Sequence, residues 1–167
     1  MYKVFIHGAA GTTGLKLKER LMGRRDIALQ LLDEDERKDA GKIHDMLHSS
    51  DIAFLCLPDD AAREAVAMAE GSAVRLIDAS TAHRVQPGWA YGFPELSQEH
   101  RQAVAAGDRV AVPGCHASGF IALVYPLVKA GLLPADYPVV CHSVTGYSGG
   151  GKKMIAEYEA MDREALL

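Results

Sequence analysis

Three glycines at positions 8, 11 and 14, spaced G-x-x-G-x-x-G, constrain this chain more than any other feature. They follow the apolar run Val4-Phe5-Ile6. They precede a stretch where Leu15, Leu17, Leu21 and Met22 recur among Lys16, Lys18, Glu19 and Arg20. Strand, glycine turn and amphipathic helix in that order are the context in which a glycine loop takes a dinucleotide. Glycine lets the backbone turn tightly and approach a pyrophosphate, while the helix start offers unpaired amides and partial positive charge. On this reading Gly8, Gly11 and Gly14 shape a cradle, and Thr12 and Thr13 add hydroxyl donors. The spacing departs by one residue from the commoner G-x-G-x-x-G, so a plain tight turn is the competing reading.

The rest of the first hundred residues continues the alternation. Ile27 to Leu32 reads as a second strand, and the charged segment Asp33 to His48 ends in a short helix. Asp51 to Leu57 is a continuous apolar run closed by Pro58, as suits a parallel strand covered on both faces. Asp59 or Asp60 is expected to cap the next helix, and Val74 to Ile77 forms another strand. Arg84 to Pro94 is loop-like and holds the single tryptophan, Trp89, read as a packing residue. Ser97 to Gly107 reads as a helix, Arg109 to Val112 as a strand, and Ala117 to Ala130 as an apolar helix. Val139-Val140 opens a further strand before the glycine-rich loop Thr145 to Gly151. The expected fold is α/β: a Rossmann-like parallel sheet with flanking helices, then the beginning of a second α+β unit.

Composition excludes several classes. Hydrophobic residues make up 49% and charged residues 24%, a soluble globular balance, and a net charge of −4 gives no footing for nucleic acid or an acidic membrane. The N-terminal segment lacks the features of a secretory signal, and no apolar run approaches the ~18 residues of a membrane span. Three cysteines make no disulfide framework, so a cytoplasmic protein with free thiols is expected.

Two regions bear on chemistry. An acid after the second strand, Asp33, favours NAD, whereas Arg37 and Lys38 suit the 2′-phosphate of NADP; local sequence leaves both open. Cys115 follows Pro113-Gly114 at the start of an apolar helix, where the macrodipole favours a thiolate able to form a thioester beside a nicotinamide. An inert packed cysteine is the alternative there, and packing is the better reading for Cys56 and Cys141. Cys115-His116 and Cys141-His142 have no common zinc-site spacing, so no metal is expected.

Gly8 to Gly14, Val112-Pro113-Gly114-Cys115-His116-Ala117-Ser118-Gly119, and Val144 to Lys153 together resemble N-acetyl-gamma-glutamyl-phosphate reductases. Asp78-Ala79-Ser80-Thr81-Ala82-His83-Arg84 and Tyr91 to Leu96 resemble the shorter, type 2 branch of that family. The resemblance implies an NADPH cofactor, an acyl-phosphate substrate and Cys115 as the nucleophile. It adds Arg37, Pro58 and Ser80 to the cofactor contacts, and implies substrate contacts from Ser80, Arg84, His116, Gly149 and Lys152. Residues 1–114 would form the NADP-binding domain and 115–167 the start of a catalytic and dimerisation domain. Family members run longer, so an acid/base histidine is expected beyond residue 167; neither His116 nor His142 matches its motif. A homo-oligomer is implied for the full-length protein. The rival readings are an aspartate-semialdehyde dehydrogenase-like enzyme, a non-catalytic NADP-binding module, or a structural partner of a complete subunit.

Overall fold

The computed structural model describes residues 1–160, so positions 161–167 of the expected second domain lie outside the described residues. Among the described residues, six strands form one sheet: β1 (Tyr2–His7), β2 (Ile27–Gln30), β3 (Ile52–Leu55), β4 (Arg75–Asp78), β5 (Ala90–Tyr91) and β6 (Arg109–Ala111). Their spatial order is β2-β1-β3-β4-β6-β5, and every neighbouring pair is parallel. The helices are α1 (Thr12–Leu21), α2 (Ala40–Ser49), α3 (Asp59–Met68), α4 (Gln98–Ala106), α5 (Cys115–Lys129) and α6 (Gly151–Ala160).

Parallel strands buried on both faces explain the unbroken apolar runs. Phe5, Leu47, Ala53, Leu55, Ala65 and Leu76 meet in one cluster between the sheet, α2 and α3. Each large side chain buried there contributes roughly 1.5–3 kcal/mol relative to exposure. Helix starts follow local chemistry. The Asp39 carboxylate accepts the amides of Gly41 and Lys42 at α2, and Ser97 accepts the His100 amide at α4. The strand order reverses beside β1, which joins outward to β2 through α1 while β3 continues on its other side. In open α/β sheets, ligands collect outside the carboxyl ends of the strands at such a reversal.

Three local expectations are corrected. Neither Asp59 nor Asp60 caps α3; Pro58 is its N-cap and makes no side-chain hydrogen bond. The Asp59 carboxylate instead takes the Thr81 amide at 2.9 Å and the Thr81 hydroxyl, tying α3 to the loop after β4. The expected loop 84–94 contains β5, two residues too short to show a periodic pattern, which forms the sheet edge on β6. Val139-Val140 opens no strand: no ladder partner reaches it among the described residues, and Val140 stays 85% exposed. The described part of the second unit therefore consists of α5, an irregular crossing that begins with turns, a short 3-10 turn (Tyr147–Gly150) and α6.

Candidate active site

The glycine loop is shaped by contacts that exclude side chains. Gly8 has φ +89°, and a Cβ there would lie 2.3 Å from the Cys56 carbonyl oxygen at the end of β3. Gly14, in the first turn of α1, packs so closely that a Cβ would lie 2.2 Å from the Gly8 oxygen. Gly11 is the N-cap of α1 and donates its amide to the Gly8 carbonyl at 3.0 Å. No side chain caps this helix and no acid occupies its first turn, so the amides of Thr12, Thr13 and Gly14 begin a helix suited to an anion.

A cleft of about 500 Å³ opens beside this turn, lined among others by His7, Gly8, Leu32, Glu34, Arg37 and Lys38. Arg37 pairs with Glu34 at 3.2 Å and remains half exposed. The Asp33 carbonyl accepts the amides of Glu36 and Arg37, a turn that carries both basic residues to the cleft. Pro58 follows Leu57, which lines the same cleft. His7 closes β1 behind the first glycine; its buried Nδ1 has no hydrogen-bond partner among the described residues, and burial lowers its pKa from the ordinary histidine value. The unfolded chain therefore takes up a proton here at a higher pH than the folded one. His7's contribution to stability is intact above about pH 6.5, the unfolded value, and is lost as pH falls below it toward the lower folded value. The urea midpoint should fall more between about pH 7.5 and pH 5.5 in the parent than in His7→Gln. Parallel declines would refute this.

At the carboxyl end of β4 a polar network fixes the next loop. Asp78 is fully buried; its carboxylate accepts the Ser80 amide at 2.9 Å, the Ser80 hydroxyl at 2.6 Å and His83 Nδ1 at 2.6 Å. The Ser80 hydroxyl also accepts the Ala82 amide, which holds it in the loop with one acceptor site remaining. His83 stacks on Trp89 at 4.2 Å between ring centroids. Arg84 donates from Nε to the Val112 carbonyl at 3.0 Å and from Nη2 to the Ala79 carbonyl at 3.3 Å. Its guanidinium lies under Gly114, where a Cβ would come within 2.9 Å of Nη1.

Gly114 is the N-cap of α5 and Cys115 its first residue, exposed, with no acid in the first turn. Cys115 and His116 line a cavity of about 640 Å³ with Phe120, Val139, Cys141 and His142. His116 Nδ1 hydrogen-bonds the Ser143 hydroxyl, holding the 139–146 crossing over the helix start. Cys56 differs: burial first, then the Asp78 carboxylate, push its pKa up to about 11. Gly149 lies in the 3-10 turn, where a Cβ would meet the Thr145 hydroxyl at 2.4 Å. Lys152 falls in the first turn of α6; its side chain lies outside the described residues. The glycine loop and Cys115 thus share the carboxyl-end edge of one parallel sheet, Ser80 and Arg84 stand between them on β4's loop, and His116 joins Cys115. Sequence reasoning missed the Asp78–His83 pair and the cleft position of His7. The spacing D-x-S-x-x-H across a strand end was the available signal for the pair.

Residues 3–104 match the family described as semialdehyde dehydrogenase, NAD binding domain, and residues 115–166 match that described as semialdehyde dehydrogenase, dimerisation domain. N-acetyl-gamma-glutamyl-phosphate reductase 2 of Pseudomonas putida is 56% identical over 156 residues, which cover 93% of this chain and 50% of that protein. The reductase of the same name from Chelativorans sp. is 53% identical over 163 residues, covering 98% and 53%. The solved aspartate semialdehyde dehydrogenase from Francisella tularensis shares the fold at a TM-score of 0.71 and 20% identity, over 94% of this chain and 48% of that one. The chain spans about half the length of the curated relatives it matches. This chain belongs to the semialdehyde dehydrogenase family, and within it is similar to the N-terminal half of N-acetyl-gamma-glutamyl-phosphate reductases.

Proposed function

We propose that this chain supplies the cofactor cradle and the nucleophile of an NADP-dependent N-acetyl-gamma-glutamyl-phosphate reductase. The reaction reduces N-acetyl-L-glutamyl 5-phosphate to N-acetyl-L-glutamate 5-semialdehyde and phosphate, a step of arginine biosynthesis in the cytoplasm. One observation carries the reading: an exposed cysteine begins a helix at the same sheet edge as a glycine cradle with no room for a side chain at Gly8 or Gly14.

The residues present fit a dinucleotide. A Cβ would fill the space kept open at Gly8 and Gly14, the α1 start carries no acid, and Thr12 and Thr13 flank it. Arg37 and Lys38 on the cleft wall favour a 2′-phosphate, and hence NADP over NAD. The nicotinamide, when bound, supplies hydride to an acyl carbon.

The chain's own chemistry begins at Cys115. With its proton released to water, its sulfur attacks the acyl carbon, a C–S bond forms, and the C–O bond to phosphate breaks with its electron pair leaving on phosphate. After reduction the C–S bond breaks, the aldehyde departs and sulfur recovers its electron pair. The α5 amides face the carbonyl oxygen as charge develops there. Arg84, Gly149 and Lys152 are suited to the phosphate, and Ser80 and His116 to the rest of the substrate. The boundary of the two domains falls at 114/115, with 115–167 entering the dimerisation domain. Leu123 is 73% exposed on an α5 that buries none of its residues, which favours a homo-oligomer.

The test uses Cys115 itself. The protein is mixed with N-acetyl-L-glutamyl 5-phosphate or L-aspartyl 4-phosphate without cofactor, and peptide mass spectrometry locates the acyl adduct. An acetylglutamyl adduct on Cys115 that NADPH discharges is the expected result. Preference for the aspartyl compound would transfer the reading to aspartate semialdehyde. NADPH binding with no adduct from either would leave a dinucleotide-binding module.

A further inference from the structure

The Asp78–His83 pair has no part in the chemistry above, yet it sits where the two sites join. Asp78 closes β4 and is wholly enclosed, and a carboxylate in such a place persists only when its oxygens are paired. Oδ1 takes the Ser80 amide; Oδ2 takes the Ser80 hydroxyl and His83 Nδ1. His83 is itself 7% exposed and held flat against Trp89, so its ring cannot turn away. The residue after His83 is Arg84, whose fork grips the carbonyls of Ala79 and Val112, one on each side of the gap between β4 and β6. The Asp78 carbonyl closes the same gap by accepting the Val112 amide at 2.7 Å. Beyond Val112 come only Pro113 and Gly114 before the thiol, and Gly114 rests on the Arg84 guanidinium.

We propose that His83 is a positioning residue: through Asp78 and Arg84 it fixes the Val112–Gly114 turn and so sets Cys115 at the start of α5. The chain of contacts is continuous from the buried carboxylate to the residue before the nucleophile. His83 anchors one end of the 78–84 loop, and Arg84 transmits that anchoring across the sheet edge. Without the imidazole donor, Oδ2 keeps one partner of two, the loop gains freedom, and the guanidinium no longer lies at a fixed place beneath Gly114. The proposal takes Cys115 as the reacting group, as argued above. Its test reads the thiol and not turnover, so it can fail independently of the reductase reading.

The measurement is the rate at which iodoacetamide alkylates each cysteine of the folded chain, resolved by peptide mass spectrometry. Cys115 is already exposed, so loosening its surroundings cannot speed its reaction by uncovering it, whereas half-buried Cys56 reports general unfolding. His83→Phe keeps a ring against Trp89 and removes the donor. It should slow Cys115 by about threefold to tenfold, through loss of the ordered α5 amides beside the sulfur, with Cys56 unchanged. His83→Asn, which can present an amide N–H near the place of Nδ1, should restore most of the rate. Parent-like Cys115 rates in His83→Phe would overturn the proposal, as would an Asn variant as slow as Phe. If His83→Phe also uncovers Cys56, Arg84→Lys decides, because it leaves the Asp78–His83 pair intact and keeps the charge. A slowed Cys115 in Arg84→Lys supports the relay, and an unchanged one overturns it.

Discussion

Replacing Cys115 by alanine is expected to lower phosphate-dependent NADP⁺ reduction by N-acetyl-L-glutamate 5-semialdehyde at least about 10³-fold, because covalent catalysis has no substitute for its nucleophile. The assay belongs in the full-length protein that contains this sequence, since the chain spans about half the length of its relatives. Stability should hardly change. Cys115 is exposed and packs into no core, so its urea midpoint should stay with the parent. NADPH affinity should stay too, because the cradle is built from β1, β3 and α1. Cys141→Ala is the matched control: it lines the same cavity without standing at a helix start, and should leave turnover within about a factor of three. Equal losses in the two variants would remove Cys115 from the role of nucleophile.

The second large effect is structural. Gly8→Ala forces a side chain into a φ of +89° and sets its Cβ 2.3 Å from the Cys56 carbonyl oxygen, which is main chain at the end of a central strand. Left-handed strain and overpacking each cost about 1–3 kcal/mol, so the variant should lose roughly 3 kcal/mol or more in urea unfolding. Dinucleotide binding should fall with it. Gly11→Ala is the informative contrast, since its nearest contact would be the Gly8 oxygen at 3.4 Å and its φ is −78°. It should cost less than about 1 kcal/mol, as helix-cap exchanges of this kind do. A Gly8 variant as stable as the Gly11 variant would show that the turn can reopen elsewhere.

That contrast bears on what the sequence made legible. G-x-x-G-x-x-G names three glycines as equals, yet only Gly8 and Gly14 are held by contacts under 3 Å. The Gly8 contact comes from Cys56, 48 residues away, which the local sequence does not encode, and the Gly14 contact from the first turn of the helix packing back on its own loop. The strands β1, β3 and β4 were readable because burial on both faces leaves an unbroken apolar run. The two-residue β5 was not, because it is defined by its neighbour and not by its own pattern. The same holds for Val139-Val140, whose β-branched side chains suggest a strand while pairing requires another chain segment beside them. At the site, Cys115 was visible from Pro113-Gly114 before it and the apolar helix after it. Asp78 looked like an ordinary polar end to a strand. Its burial, and its bond to a histidine five residues on, depend on how β4 sits between β3 and β6.

The sheet's order has a consequence for how the protein is born. β6 lies between β4 and β5, so β5 leaves the ribosome before the strand it pairs with exists. The β2-β1-β3-β4 block can assemble as it emerges, but Ala90-Tyr91 must wait until Arg109–Ala111 inserts beside β4. Val112, which closes the gap to Asp78, is the next residue made, and Cys115 follows three residues later. During synthesis the glycine cradle can therefore form while the seat of Cys115 does not yet exist, and the insertion of one short strand delivers both the sheet edge and that seat.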